Sequence, residues 1–266
     1  MNRAVTAFTN PEPLAYYRDI AARALGLGDG KAFEGLRDRV RMTRLIEICV
    51  ESAEGARSAG LGGADRVELC VDRAVGGLTP SIVAIAAARR LVEIPLHVLI
   101  RPRAGGFFYQ KGEIARMVEE IATARRLGAS GVVVGALDQA GDVNRDATAR
   151  LAERARPSSV TFHKAFDAAR DPFEALEVLI DLGIDRVLTS GQADAAREGL
   201  PTLARLVQHA SGRITILAGG GLTLDDLPGL DASGVREIHA ASCVLDEAGR
   251  TDPRRVRGLV NAWRGG

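Results

Sequence analysis

The sequence is poor in aromatic residues and in cysteine, and it carries almost no net charge. Phe, Trp and Tyr make up 4% of its 266 residues, and there are three cysteines. Three scattered cysteines exclude a scaffold held together by disulfides. Lys plus Arg is 35 and Asp plus Glu is 34, which gives a net charge of +1. The net charge therefore produces no electrostatic field that would attract nucleic acid, and we expect no nucleic-acid partner.

Long apolar runs are also absent. The longest run, from Ile82 to Ala88, is far too short to cross a bilayer. The first residues lack the apolar core of a signal peptide. A hydrophobic fraction of 46% and a charged fraction of 26% are those of an ordinary globular protein. We expect a reduced, cytoplasmic protein with no membrane partner.

Short apolar, β-branched segments recur along the chain and indicate strands. Eight such segments are predicted as strands, at residues 44–49, 66–70, 95–101, 131–135, 160–163, 186–189, 214–218 and 235–239. Between them, apolar residues recur at helical spacing, for example in 81–91, 111–127 and 172–182. This alternation predicts βα units and a parallel sheet.

Eight βα units predict an α/β fold of the (β/α)8 TIM-barrel type, in one domain over residues 42–266. An open doubly wound sheet is the alternative. That fold usually has a Gly-rich turn after its first strand, and the turn after Cys49 carries no Gly-x-Gly pattern. Residues 1–41 stand outside the repeat, and their apolar spacing predicts a short helical N-terminal extension.

Polar residues recur on one face near the ends of several predicted strands. Glu47 and Cys49 are two residues apart on the first strand, and Glu68 and Cys70 repeat this pattern on the second. Barrel active sites lie at the carboxyl ends of the strands. Paired carboxylates and imidazoles can act as general acids and bases near neutral pH. Our candidate catalytic residues are Glu47, Glu68, His163 and His239. An internal ion-pair lattice that only ties the barrel together is the alternative.

Glycine-rich turns after two late strands predict an anion site. Gly219, Gly220 and Gly221 follow the seventh strand, and Ser190 and Gly191 follow the sixth. Glycine lets backbone N–H groups approach an anion closely, and barrels usually hold phosphate at their last loops. Tight turns alone are the alternative explanation.

The loop 101–109 joins two arginines, two glycines and three aromatic residues. Such a loop could cover the mouth of the barrel as a lid. Its arginines, Arg101 and Arg103, favour an anionic ligand and are candidate substrate-binding residues.

The spacing of metal-ligating residues is a weak signal in this chain. There is no Cys-x-x-Cys and no His-Glu-x-x-His. Cys49 and Cys70 would lie on adjacent strands, so their thiols could converge, and two thiolates suit Cu(I). Two buried cysteines are also common in packed cores.

Several segments, in this order, resemble the CutC family. They are Leu45-Ile46-Glu47-Ile48-Cys49, Gly63-Ala64-Asp65-Arg66-Val67-Glu68-Leu69-Cys70, Gly76-Gly77-Leu78-Thr79-Pro80-Ser81, Ile100-Arg101-Pro102-Arg103, Val160-Thr161-Phe162-His163-Lys164-Ala165-Phe166-Asp167 and Arg186-Val187-Leu188-Thr189-Ser190-Gly191-Gln192. The resemblance implies a (β/α)8 barrel, a cytoplasmic location and a role in copper homeostasis, with Cys49 and Cys70 as copper ligands. It does not extend to residues 1–41.

This chain departs from the family pattern at two places. The loop Arg101-Pro102-Arg103-Ala104-Gly105-Gly106-Phe107 lacks the acidic residue that the family often has there. Lys164 stands after His163 where the family has arginine, which keeps the charge but not the bidentate geometry.

Two functions of different class follow from these observations. One is a copper homeostasis protein that binds Cu(I). The other is a barrel enzyme that acts on a small anionic or phosphorylated substrate by Glu and His acid–base chemistry. The expected partner is accordingly a copper ion or a small anionic ligand. A structural, homodimer-forming barrel is left open.

Overall fold

The computed structural model describes residues 44–265, which form a closed barrel of eight parallel strands. The strands follow one another around the barrel in chain order, and β1 pairs with β8 to close it. They are β1 (Leu45–Val50), β2 (Arg66–Leu69), β3 (Leu96–Leu99), β4 (Gly131–Val134), β5 (Ser159–Phe162), β6 (Arg186–Thr189), β7 (Thr215–Gly219) and β8 (Glu237–Ala240). All eight predicted strands are confirmed with ends displaced by up to two residues, and the open doubly wound sheet is excluded.

An α-helix follows each strand and packs outside the barrel. The helices are α1 (Ala53–Gly62), α2 (Ile82–Leu91), α3 (Lys111–Arg126), α4 (Arg145–Ala155), α5 (Pro172–Asp181), α6 (Leu200–Ala210), α7 (Leu227–Ala232) and α8 (Pro253–Gly265). Side chains cap several helix starts. Ser81 accepts a hydrogen bond from the Ala84 N–H, and Asp171 accepts two at the start of α5. None of the helices within 44–265 combines the length and the apolar character that crossing a bilayer requires.

The two faces of each strand meet different environments. Ile46 and Ile48 of β1 are fully buried in the apolar core between strands and helices. Glu47 and Cys49, on the opposite face, point into the barrel. The alternation of side chains along a strand produces this division. The barrel interior therefore carries many polar side chains, although Leu99 and Val133 pack there beside Cys49, whereas the shell around the strands is apolar.

Charged residues fill the interior at the amino-terminal end of the strands. The Arg66 guanidinium donates to Glu47 and, at 2.8 Å, to Glu237. Arg186 donates to the same Glu237 carboxylate at 3.2 Å. All four side chains are at least nine-tenths buried. Charges this deep are tolerated because they are paired. The ion-pair lattice weighed as an alternative therefore exists, and it occupies the lower barrel.

The predicted helical extension, residues 1–41, lies outside the residues that the structure describes. The barrel itself accounts for residues 44–265.

The buried lattice leads to a stability prediction. Arg66→Leu leaves Glu47 and Glu237 without their shared partner, and we expect it to lower the free energy of unfolding by ~3–5 kcal/mol. Urea denaturation at pH 7 measures the loss. The control is Arg116→Leu, because Arg116 forms an exposed pair with Glu120 one helical turn away. That substitution should cost about 1 kcal/mol or less. Equal losses in the two variants would contradict the structural role of the lattice.

Candidate functional site

A cavity of about 360 Å³ lies at the carboxyl ends of the strands. Eight of the predicted site residues line it: Cys49, Glu68, Cys70, Arg101, His163, Gly220, Gly221 and His239. They come from strands all around the barrel, because inward-facing positions near strand ends converge at one mouth. The remaining candidates lie beneath the cavity or in the loops beside it.

The two thiols converge at this mouth. Cys49 Sγ lies 3.5 Å from Cys70 Sγ and 3.9 Å from a Glu68 carboxylate oxygen. The register pairs Cys49 with Glu68, so Cys70 projects inward one step further along β2. The hydrogen bond with Cys70, burial and the Glu68 charge together raise the pKa of Cys49 well above its usual value. Cys49 is therefore a thiol at neutral pH.

Glu68 is a buried carboxyl with spare hydrogen-bonding capacity. It is 5% exposed, and its Oε2 has no hydrogen-bond partner among residues 44–265. Burial raises its pKa to about 7, with the Glu47 charge adding to the rise and the His239 charge opposing it. A carboxyl with this pKa can take up or release a proton at neutral pH.

Glu47 lies one layer deeper in the barrel than Glu68, and both of its carboxylate oxygens already have partners. One oxygen accepts from Arg66, and the other lies 2.8 Å from His239 Nδ1. Burial alone would raise the pKa of Glu47, but Arg66 and His239 hold it well below its usual value. Glu47 in turn raises the pKa of His239, together with the Glu68 charge and against the effect of burial. Glu47 therefore orients His239, which reaches the cavity.

His163 is a neutral hydrogen-bond donor. Its Nδ1 accepts from the Ala165 N–H at 3.0 Å, so the ring proton resides on Nε2. That Nε2 is buried and has no partner in the described part of the chain. Burial and the Arg101 charge lower the pKa of His163 to about 3. A side chain at Gly135 would collide with this ring, so the glycine is needed for close approach.

The two arginines of the 101–109 loop have different surroundings. Arg101 is buried and donates to the carbonyls of Val75, Gly77 and Gly105, at 2.8 to 2.9 Å. Within residues 44–265 no carboxylate pairs with it. Arg103 instead forms an ion pair with Glu113 and lies outside the cavity lining. Arg101 thus brings an uncompensated charge to the cavity, whereas Arg103 braces the loop.

The turn after β6 is already filled by a side chain of the protein. The Asp167 carboxylate accepts from the backbone N–H groups of Ser190 and Gln192 at 3.0 Å. It also lies 3.0 Å from the Ser190 hydroxyl. The Gly191 N–H donates to the Thr189 hydroxyl. Ser190 and Gly191 therefore have their hydrogen bonds satisfied internally.

The turn after β7 is open by comparison. Gly219 ends the strand, where a side chain would collide with Leu188 and His239. Gly220 and Gly221 have φ angles of 111° and 59°, which favour glycine. In the described residues, the N–H groups of Gly220, Gly221 and Leu222 have no acceptor. These three residues also line the cavity.

Several residues beside the site were not among the predicted site residues. Asp167, which fills the β6 turn, lies in a short 3-10 helix, and its place at the end of a segment that resembles the CutC family was the available signal. Lys164 was noted only as a departure from a pattern, although it lines the cavity. Arg73 also lines the cavity and pairs with Glu51 outside it. Arg66 and Arg186 both begin strands, and their inward-facing positions were the available signal.

Comparisons with known proteins agree with the barrel and with each other. The CutC family model matches residues 44–244. The human copper homeostasis protein cutC homolog is 44% identical over 206 residues, covering 77% of this chain and 76% of that protein. A family protein CutC from Mesorhizobium japonicum is 47% identical over 199 residues, covering 74% of this chain and 77% of that protein. The crystal structure of a CutC protein from Streptococcus agalactiae has a TM-score of 0.71 at 31% identity, covering 74% of this chain and 98% of that one.

The raised pKa of Glu68 predicts a pH-dependent stability. Its folded-state pKa of about 7 exceeds the ordinary value of 4.5. The stability that its proton contributes is present below pH 4.5 and is lost as the pH rises through 7. Glu68→Gln removes this titration, so its free energy of unfolding should rise relative to the wild type. We expect a gain of ~2–3 kcal/mol between pH 4.5 and 8, measured by urea denaturation across that range.

The matched control for this prediction is Glu119→Gln. Glu119 lies on α3 and is exposed, so this variant should follow the wild type at every pH. A difference between Glu68→Gln and the wild type that stays constant with pH would contradict the raised pKa.

Proposed function

Because this chain belongs to the CutC family, whose relatives include proteins named for copper homeostasis, we propose that it binds Cu(I) through Cys49 and Cys70. The observation that carries the proposal is the approach of the two sulfur atoms to 3.5 Å in the lining of the cavity. Soft thiolate sulfur is the ligand type that Cu(I) prefers. Ligand atoms of Cys49, Glu68 and Cys70 all lie within 4.8 Å of one another, so three donors face one point.

Thiolates bind the metal, so the protons of both thiols must leave when Cu(I) binds. Glu68 is placed to accept one of them, since its carboxylate oxygen lies 3.9 Å from Cys49 Sγ. Its pKa of about 7 keeps it partly ionised at neutral pH. The Arg73 charge opposes the rise in the pKa of Cys49 that the Cys70 hydrogen bond and burial cause, and in this way it favours the thiolate. Together these residues would let a buried thiol pair ionise when the metal arrives.

The buried position of the thiols also suits Cu(I). Cys49 is 4% exposed and Cys70 is 1% exposed, and Leu99 and Val133 pack around them. An apolar surround limits contact of the metal with water and oxidants. The mouth of the barrel leaves the sulfur atoms reachable through the cavity.

The copper proposal predicts that reduced protein binds about one Cu(I) per chain, and that Cys49→Ser combined with Cys70→Ser abolishes this binding. Competition against a chromophoric Cu(I) chelator measures the affinity. The apparent affinity should rise with pH between 6 and 8, because two protons are displaced. Glu68→Gln should weaken binding while leaving the stoichiometry unchanged.

Cys243→Ser provides the control for the double variant. Cys243 is half-buried, lies beyond β8 and does not line the cavity. This variant should bind Cu(I) as the wild type does. If the double variant kept the wild-type affinity, the thiols would be core residues only.

A second candidate function is acid–base catalysis on a small anionic substrate. Copper binding by two thiolates leaves His163 and Arg101 unused, although both line the cavity with unpartnered nitrogen atoms. Glu68 can exchange a proton near pH 7, and the His163 Nε2–H can donate to a developing oxyanion. This combination favours removal and return of a proton next to a carbonyl group.

Solvent exchange tests this second function without knowledge of the product. Sugar phosphates that carry a carbonyl group are incubated with the protein in D2O, and proton NMR follows loss of the C–H signal next to the carbonyl. The wild type should exchange this proton, and Glu68→Gln should slow the exchange by ~100-fold or more, as expected for loss of a general base. Exchange at the same rate in both proteins, or in neither, would contradict the proposal.

A further inference from the structure

We propose that the turn after β7, together with Lys164, binds the phosphate group of a small phosphate monoester in the cavity. The proposal narrows the substrate class of the second candidate function and rests on that function only for the chemistry that follows binding. It does not depend on copper.

The turn after β7 offers a row of free donors. The N–H groups of Gly220, Gly221 and Leu222 have no acceptor within residues 44–265, and all three residues line the cavity. The Gly220 carbonyl accepts from the Ala196 N–H at 2.9 Å, which ties the turn to the neighbouring loop. Consecutive amides held in this way form the concave donor surface that anions occupy.

A cation lies beside the first residue of this turn. A Cβ built on Gly220 would lie 2.8 Å from Lys164 Nζ, so the ammonium group sits beside this residue. Lys164 is held there by the Ser190 hydroxyl at 2.8 Å and by Asp167 at 3.2 Å. Its third donor hydrogen remains for a ligand. The absence of a side chain at Gly220 leaves the space that a ligand oxygen needs.

Two buried side chains independently point to a ligand in the same cavity. His163 is 5% exposed and Arg101 is 6% exposed. The Nε2 of the first and the Nε of the second have no partner in the part of the chain that is described. An unmade hydrogen bond at a buried donor is costly, so such atoms mark a place where a ligand supplies the acceptor. Among residues 44–265 Arg101 also lacks a carboxylate partner, which favours an anion.

The turn after β6 differs from the turn after β7, because a side chain of the protein already fills it. Asp167 already supplies a carboxylate to the amides of Ser190 and Gln192. The Asp167 carboxylate thus occupies at β6 the place that the ligand anion would take at β7. Lys164 lies between the two turns and contacts both.

The chemistry of the site favours phosphate over carboxylate. A phosphate monoester carries about two negative charges and three acceptor oxygens, which match three amides and one ammonium group. The cavity of about 360 Å³ is of the size that holds small ligands. It continues from the turn to Glu68 and His163, so the organic part of the ester would lie against these residues.

The test uses inorganic phosphate and glycerol 3-phosphate as probes, with glycerol as the uncharged control. Isothermal titration calorimetry and thermal unfolding, both in phosphate-free buffer, measure binding. Wild-type protein should bind both phosphates and unfold at a higher temperature in their presence, and should not bind glycerol. Lys164→Gln should weaken binding by ~10-fold or more, as expected for loss of a charged hydrogen bond. Gly220→Val should abolish it.

Controls separate this proposal from misfolding and from the two functions proposed above. Lys111→Gln removes an exposed lysine at the start of α3 and should bind as the wild type does. The double variant Cys49→Ser with Cys70→Ser should retain phosphate binding. If Gly220→Val fails to fold, Lys164→Gln decides the outcome. Phosphate binding without proton exchange in D2O would end the enzymatic function but not this site.

Two results would overturn the proposal. One is the absence of phosphate binding by wild-type protein at ten-millimolar concentrations. The other is unchanged affinity in Lys164→Gln.

Discussion

Buried charge inside a closed barrel has to be paired, and this requirement organises the site. Arg66 bridges Glu47 and Glu237 in the lower barrel, and Arg186 supplies a second positive charge to Glu237. With Glu47 committed to Arg66, its second oxygen is free only to hold His239. Glu68 lies one layer higher, where burial outweighs the charges of His239 and Arg66, and it keeps its proton up to about pH 7. The carboxyl group of Glu47 therefore has a structural role, whereas that of Glu68, one layer higher, can exchange a proton.

The barrel interior changes character along its axis. Its lower part is saturated with ion pairs, whereas its mouth holds two thiols, a protonatable carboxyl and a neutral imidazole. Saturated polar groups hold a structure rigid, and unsaturated ones are available to ligands. The ion pairs of the lower barrel hold the strands rigid, and the groups at the mouth remain available to a ligand. A binding site needs both properties if its groups are to be in place before the ligand arrives.

The mouth also combines two chemistries that need not exclude each other. The dithiol of Cys49 and Cys70 is soft and suits Cu(I), while Lys164 and the β7 amides suit a hard oxyanion. Glu68 adjoins the thiols and faces the same cavity. Protonation of Glu68 would thus change the charge next to a ligand of either kind. The one cavity thus has residues suited to both proposed ligands, Cu(I) and a phosphate group.

The sequence by itself was sufficient for the eight strands and for their inward faces, because side-chain alternation and helical spacing are local properties of the chain. It could not show which inward charges pair. Arg66 and Arg101 are both arginines on inward-facing positions, yet Arg66 meets two carboxylates whereas Arg101 donates to three backbone carbonyls. Nor could it show that Asp167 fills the β6 turn while the β7 turn stays open. These contacts join residues of different strands and loops, so they depend on the stagger that closes the barrel, which no local pattern encodes.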